Sequence, residues 1–175
     1  MRKRLMIAAA MTLAALAWPA AAQAQSRYSF DQRRIGSWSI YGMGQQCMMV
    51  RVKRIGDINL SFGFAPGSPH LIILAENRQW TSIVDEGSYD VHVELGDIDG
   101  VMKGSGSRNA DLGLMMTLLV KADRADYFAA LRSAGRVRLS IEGMTTFDFP
   151  MEGSLPAIDY FEKCTRTLRI GPFAG

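Results

Sequence analysis

The stretch from Gly135 to Phe173 decides the fold. It holds two strand-like apolar runs, Val137-Arg138-Leu139-Ser140-Ile141 and Phe147-Asp148-Phe149-Pro150-Met151, broken by Gly143. Gly153-Ser154-Leu155-Pro156 then opens an amphipathic helix, with Ser154 placed as N-cap and Pro156 in the first turn, where a missing N–H costs little. On that helix Ala157, Phe161 and Cys164 fall on one face by i, i+4, i+7 spacing, so Cys164 points toward the core. The only other cysteine is Cys47, 117 positions earlier on a strand-like run. The expectation is a mainly β fold with a minor helical part. It is an antiparallel β-sandwich or partly open barrel with two short helices near the C-terminus, closed by a Cys47–Cys164 disulfide. In the chain-entropy view a loop of that length is worth roughly 5 kcal/mol.

The beginning of the chain sets the compartment. Arg2, Lys3 and Arg4 form a basic start, Leu5 to Trp18 is apolar, and Ala22-Gln23-Ala24 supplies the small residues of a cleavage site. Residues 1–24 read as a secretory signal peptide, and the apolar run is too short to span a membrane. No cysteine follows it, so a lipoprotein is not supported. The expected location is periplasmic or secreted, where one disulfide persists. Removing the signal also changes the charge. The chain has 20 Lys+Arg and 17 Asp+Glu, and three of the basic residues leave with the signal, so 17 oppose 17. A neutral mature chain argues against nucleic acid and against an anionic membrane surface as partners.

About 150 residues remain, one domain by length. Residues 25–34 read as a flexible leader and 35–175 as a single domain. Strand signals follow at Gly36–Tyr41, Gln46–Lys53, Ile58–Phe64, the continuous apolar run His70–Ala75, and Asn77–Ile83 around Trp80. Tyr89 to Leu95 alternates cleanly, with Tyr89, Val91, Val93 and Leu95 inward and Asp90, His92 and Glu94 outward. Val101–Arg108 is a weaker strand and Leu112–Lys121 a strongly apolar one. Asp123 looks like an N-cap for a first helix bearing Phe128 and Leu131 on one face, with Gly135 as its C′ stop. The tail through Leu168 and Ile170 is either a last edge strand or loose. In sum, eight to ten short strands and two short helices are expected.

Catalytic constellations are scarce. Only His70 and His92 are available as bases, and no Gly-x-Ser-x-Gly elbow is present. Asp97-x-Asp99-Gly100 lacks the further ligands of a calcium loop and reads as a hairpin turn. The methionines Met43, Met48, Met49, Met102, Met115, Met116, Met144 and Met151 would suit Cu(I) in an envelope compartment, but their inward strand positions favour a role as adaptable core filler. No cofactor motif is found, phosphate loops included. Exposed aromatic and basic residues, namely Arg33, Arg34, Tyr41 and Arg51, mark a possible binding face. The expectation is a non-catalytic binding or interaction module for an envelope protein or small ligand. A small cell-envelope hydrolase using His70 or His92 and a Met-rich copper binder are the alternatives.

Two segments carry a resemblance. Phe149-Pro150-Met151-Glu152-Gly153-Ser154-Leu155-Pro156-Ala157-Ile158, followed by Phe161-Glu162-Lys163-Cys164, resembles a recurrent ending of secreted bacterial proteins of unassigned activity. The spacing from Trp38 to Cys47 is similar to their first hairpin. The chain also resembles the invasion-associated locus B family, which is secreted, β-rich and begins with a Trp strand followed by Cys. It lacks that family's closely spaced extra cysteines, so no functional residue carries over. The resemblance implies an envelope protein without known catalytic machinery.

Overall fold

A computed structural model describes residues 30–43, 46–52, 59–64, 70–109, 112–119 and 124–168. The signal-like segment 1–24, residues 25–29 of the expected leader, Asp123 and Ile170 lie outside them. Ten strands and two helices are described: β1 Phe30–Ile35, β2 Trp38–Met43, β3 Gln46–Val52, β4 Asn59–Phe64, β5 Leu71–Asn77, β6 Ser88–Leu95, β7 Ile98–Asn109, β8 Leu112–Leu119, α1 Arg124–Ser133, β9 Arg136–Ile141, β10 Phe147–Pro150 and α2 Leu155–Thr167. The fold is mainly β, antiparallel and sandwich-like, as the alternation of apolar residues predicts.

All strands join one ladder in the order β1-β2-β3-β4-β5-β8-β7-β6-β9-β10. The first five form a simple meander. The chain then skips two places to lay down β6 and returns inward through β7 and β8, so that β8 pairs with β5. Helix α1 carries the chain back out, and β9 pairs with β6 and β10 with β9. The two ends of the ladder do not hydrogen-bond into a closed barrel. They face each other instead: Trp38 on β2 meets Phe149 on β10 at 6.3 Å between ring centroids, and the Arg51 guanidinium on β3 donates to the Pro150 carbonyl at 2.6 Å.

Between the facing halves lies the core. Trp38, Ile40, Met49, Leu60, Phe62, Leu71, Ile73, Val91, Val93, Leu139 and Phe147 are all fully buried. Helix α2 lies against β1, β2 and β3, and Cys164 on it is bonded to Cys47 on β3 with a Cα–Cα distance of 6.1 Å. Ala157, Phe161 and Cys164 are buried, as their spacing requires. Phe64 gathers Tyr127 and Phe128 of α1 and Phe161 of α2, at 6.1, 6.0 and 5.9 Å between centroids. Methionines fill gaps in the same core: Met49 and Met115 are fully buried and Met151 nearly so.

Several local expectations are corrected. Residues 30–34, read as leader, belong to an edge strand; the run Asp31-Gln32-Arg33-Arg34 hides it because an edge strand can be wet on both faces. Asn77–Ile83 is not a strand beyond Asn77. Asn77 Oδ1 accepts the Gln79 N–H at 2.9 Å and its carbonyl accepts the Trp80 N–H at 3.2 Å, which turns the chain. Trp80 is then pinned by its indole N–H to the Thr145 carbonyl at 2.7 Å, set at a tilt 5.8 Å from the Phe147 ring centroid and seated over Gly113, where a Cβ would collide with the Trp80 backbone. Gly135 does not close α1 in a left-handed conformation. Its carbonyl accepts the Met151 N–H at 3.0 Å. Ser154 stands at the N-cap of α2, but its hydroxyl caps nothing. Leu168 forms no strand and is the C-cap of α2, its N–H bonded to the Cys164 carbonyl. Gly42 and Met43, read as breakers, continue β2. Among the described residues no helix is long and apolar enough to cross a membrane.

Candidate functional site

The four residues of the expected binding face are divided by the pleat. Opposite residues in a ladder share a face. Arg33 faces Ile40 and Arg51 faces Trp38, so both lie on the core side. Arg34 faces Ser39 and Tyr41 faces Met48, which places these two on the opposite side. Arg51 is half-buried and already engaged: its guanidinium sits 5.0 Å from the Phe149 centroid and 5.6 Å from that of Trp38, besides its bond to Pro150. It serves to tie β3 to β10 across the open end of the ladder. Arg34 donates through Nε to the Gly36 carbonyl at 3.3 Å, within its own turn.

Arg33 does enter a group, with partners the sequence did not single out. Its guanidinium lies 5.1 Å from the Tyr160 centroid, Lys163 Nζ lies 6.0 Å from the same centroid, and the Phe30 ring is 5.2 Å away. Three local causes assemble them. Docking of Ala157, Phe161 and Cys164 fixes the rotation of α2, which leaves Tyr160 half-buried at its margin. Lys163 follows Tyr160 by three positions and so shares its stripe. On β1, Phe30 faces Gly42 while Arg33 faces Ile40, so one extra residue is accommodated between them. That bulge brings Phe30 and Arg33 to one face although they are three apart. Strict alternation would have separated them, so the sequence pattern points away from the group; the i, i+3 spacing of Tyr160 and Lys163 was the only signal available.

Charge pairing is uneven over the surface. Several basic side chains elsewhere find carboxylates: Lys103 with Asp90 at 2.5 Å, Arg136 with Asp148 at 2.8 Å, and Arg138 with Glu94 at 3.1 Å and Asp148 at 3.3 Å. On the helices Arg132 binds Asp159 and Glu162, and Arg166 binds Glu162. Burial raises the Glu162 pKa, but hydrogen bonds from Arg132 and Arg166 outweigh it and hold the carboxyl below its ordinary value. Among the described residues Arg33, Arg34 and Lys163 have no carboxylate partner. A cation over an aromatic face at an exposed site gains only about 0.5–1 kcal/mol. The ring therefore positions these charges without neutralising them.

The two histidines lie apart from that edge. His70 is half-buried just before β5. His92 Nε2 meets Asp99 Oδ1 at 2.6 Å across β6 and β7, and Ser140 on β9 stands opposite His92 in the ladder. The Ser140 hydroxyl, however, meets Thr146 Oγ1 at 3.5 Å, and the His92 and Asp99 side chains are 44% and 73% exposed. A base and nucleophile on an outward strand face have no wall to bind substrate or exclude water. The turn carboxylate Asp85 is structural: the Arg108 backbone N–H at 2.6 Å, joined by the Ser107 hydroxyl, holds its pKa below the usual range. Asp97 lies in the two-residue turn of the β6–β7 hairpin, where Gly96 adopts φ +56° against the α1 backbone at Ala130. No family model, curated protein or solved structure matches the chain.

Proposed function

We propose that the chain is an exported, periplasmic or secreted binding module, without catalytic machinery, that takes an acidic partner at the β1–α2 edge. The observation that carries this reading is the Arg33–Tyr160–Lys163 group, two cations held at one aromatic ring with no carboxylate among the described residues to satisfy either. An acidic side chain or chain terminus entering there gains charge-assisted hydrogen bonds and meets the half-buried rings of Tyr160 and Phe30. Export is supported by the basic, apolar and Ala-rich order of residues 1–24, and it is compatible with the Cys47–Cys164 bond.

The hydrolase alternative has less behind it, since its best arrangement, Asp99–His92, lies open on the sheet with Ser140 turned to Thr146. Copper binding would need several methionines at one point, whereas Met49 and Met115 fill the core and Met48 stands on the opposite face of the sheet.

The reading is tested by titrating fluorescent acidic, neutral and basic peptides against the disulfide-intact protein by anisotropy. The acidic peptides should bind most tightly and weaken with salt. Arg33→Gln combined with Lys163→Gln should weaken them at least tenfold without changing the melting curve. Equal binding of all three peptide classes, or equal binding by the double variant, would overturn it.

A further inference from the structure

The two ends of the ladder are guarded differently. β10 is four residues long and ends in Pro150, which has no N–H, and the Pro150 carbonyl is claimed by Arg51. β1 has six residues, no proline, and exposed side chains from Asp31 to Arg34. Among the described residues it pairs with β2 alone. The alternation of ladder bonds fixes which backbone groups it leaves over. Ile35 and Trp38 close a two-residue hairpin in which Gly36 takes φ +58°, so that pair exchanges both of its N–H···O bonds. The next pair, Arg34 with Ser39, is then not bonded, and the N–H and C=O of Arg34 point away from β2 to the free edge. The bulge between Phe30 and Arg33 interrupts regular pairing, so the usable edge runs from Arg33 to Ile35. Its side chains alternate: Arg33 turns to the α2 side, where Tyr160 and Lys163 stand, and Arg34 to the other.

We propose that the free edge of β1 takes an extended acidic segment as an added strand; this rests on the acidic-partner reading above and specifies the partner's conformation. A strand laid there exchanges two backbone bonds with Arg34. The residue of the segment that faces Arg34 puts its side chain beside the Arg34 guanidinium, and the residue next to it turns toward Arg33 and Lys163. The segment that fits therefore carries two consecutive acidic residues, one for each face. Arg33, Arg34 and Lys163 have no carboxylate partner among the described residues, so both faces hold unneutralised charge. Half-buried Phe30 and Tyr160 border the α2 side and give an apolar neighbour of the acidic pair something to pack on. The same arginines select against a second copy of the chain, because antiparallel pairing over Arg33–Ile35 sets arginine near arginine.

The probe is a fluorescein-labelled hexapeptide, Thr-Val-Asp-Glu-Val-Thr, capped at both ends so that no terminal carboxylate competes. It is titrated by anisotropy against the disulfide-intact protein. Two further versions carry a single N-methyl group, on the Asp amide or on the Glu amide. In an added strand successive amides point in opposite directions, so one methyl group strikes a bond to Arg34 and the other faces solvent. One version should bind about tenfold more weakly, the worth of a lost hydrogen bond, and the other within about twofold of the parent. Arg34→Gln, outside the Arg33–Tyr160–Lys163 group, should weaken the parent peptide about threefold, as expected for one exposed charge pair. Methylated versions that bind alike overturn the added strand while leaving an acidic partner in place. Unchanged binding by Arg34→Gln does the same. A parent peptide that does not bind at all overturns both.

Discussion

Strands β6 and β5 belong to one ladder and obey one pleat, yet their outward residues meet different things. On β6, Asp90, His92 and Glu94 find Lys103, Asp99 and Arg138 on neighbouring strands. On β5 the equivalent positions are Ile72 and Leu74. The β6 half gains little stability from its exposed pairs, because solvent competes for each of them. What those charges supply is register, since a slip of one residue would bury them. The β1–β5 half is held differently, by α2, the aromatic group around Phe64 and a covalent bond. Stability should therefore concentrate on the helix-covered half, and specificity of pairing on the charged half.

The first way to break that contrast is Phe64→Ala. Phe64 joins both helices to β4, and its loss should cost about 3–5 kcal/mol in urea unfolding. Next is the pair Cys47→Ser with Cys164→Ser, expected to cost about 2–5 kcal/mol in the same measurement. Hydrogen exchange should show α2 losing protection before β6 and β7 do.

Glu162→Gln sharpens the contrast through pH. The carboxyl is depressed in the folded chain, so its contribution is complete above the ordinary glutamate pKa. It is lost as pH falls through the lower folded value. The wild type should lose stability over that acid window, and the variant should show a flatter dependence. Last, Arg138→Gln on the charged half should leave the urea midpoint almost unmoved, and added salt should remove what difference remains. A larger effect for Arg138→Gln than for the cysteine pair would invert the comparison.

These regions also differ in how far the sequence discloses them. The alternation of Tyr89 to Leu95 predicts both its strand and its wet face, because each residue there is decided by its own two neighbouring strands. The i, i+4, i+7 face of α2 likewise predicts that Cys164 turns inward, and with one other cysteine the pairing follows. The failures share a cause: each depends on a partner remote in sequence or on one added residue. Arg51 reads as an exposed cation, but its carbonyl partner is Pro150, 99 positions away. Trp80 reads as a strand residue, but its indole N–H is claimed by Thr145 and its backbone by Asn77. The bulge in β1 that unites Phe30 with Arg33 leaves no mark in an alternating pattern.

The Cys47–Cys164 bond has a consequence for how the protein can go wrong. Two thiols allow one intramolecular partnership, so no scrambled monomer exists to be rescued, in contrast to four thiols and their three possible connectivities. Reoxidation needs an oxidant and no isomerase. Its sole covalent error is a bridge between molecules, which dilution alone suppresses.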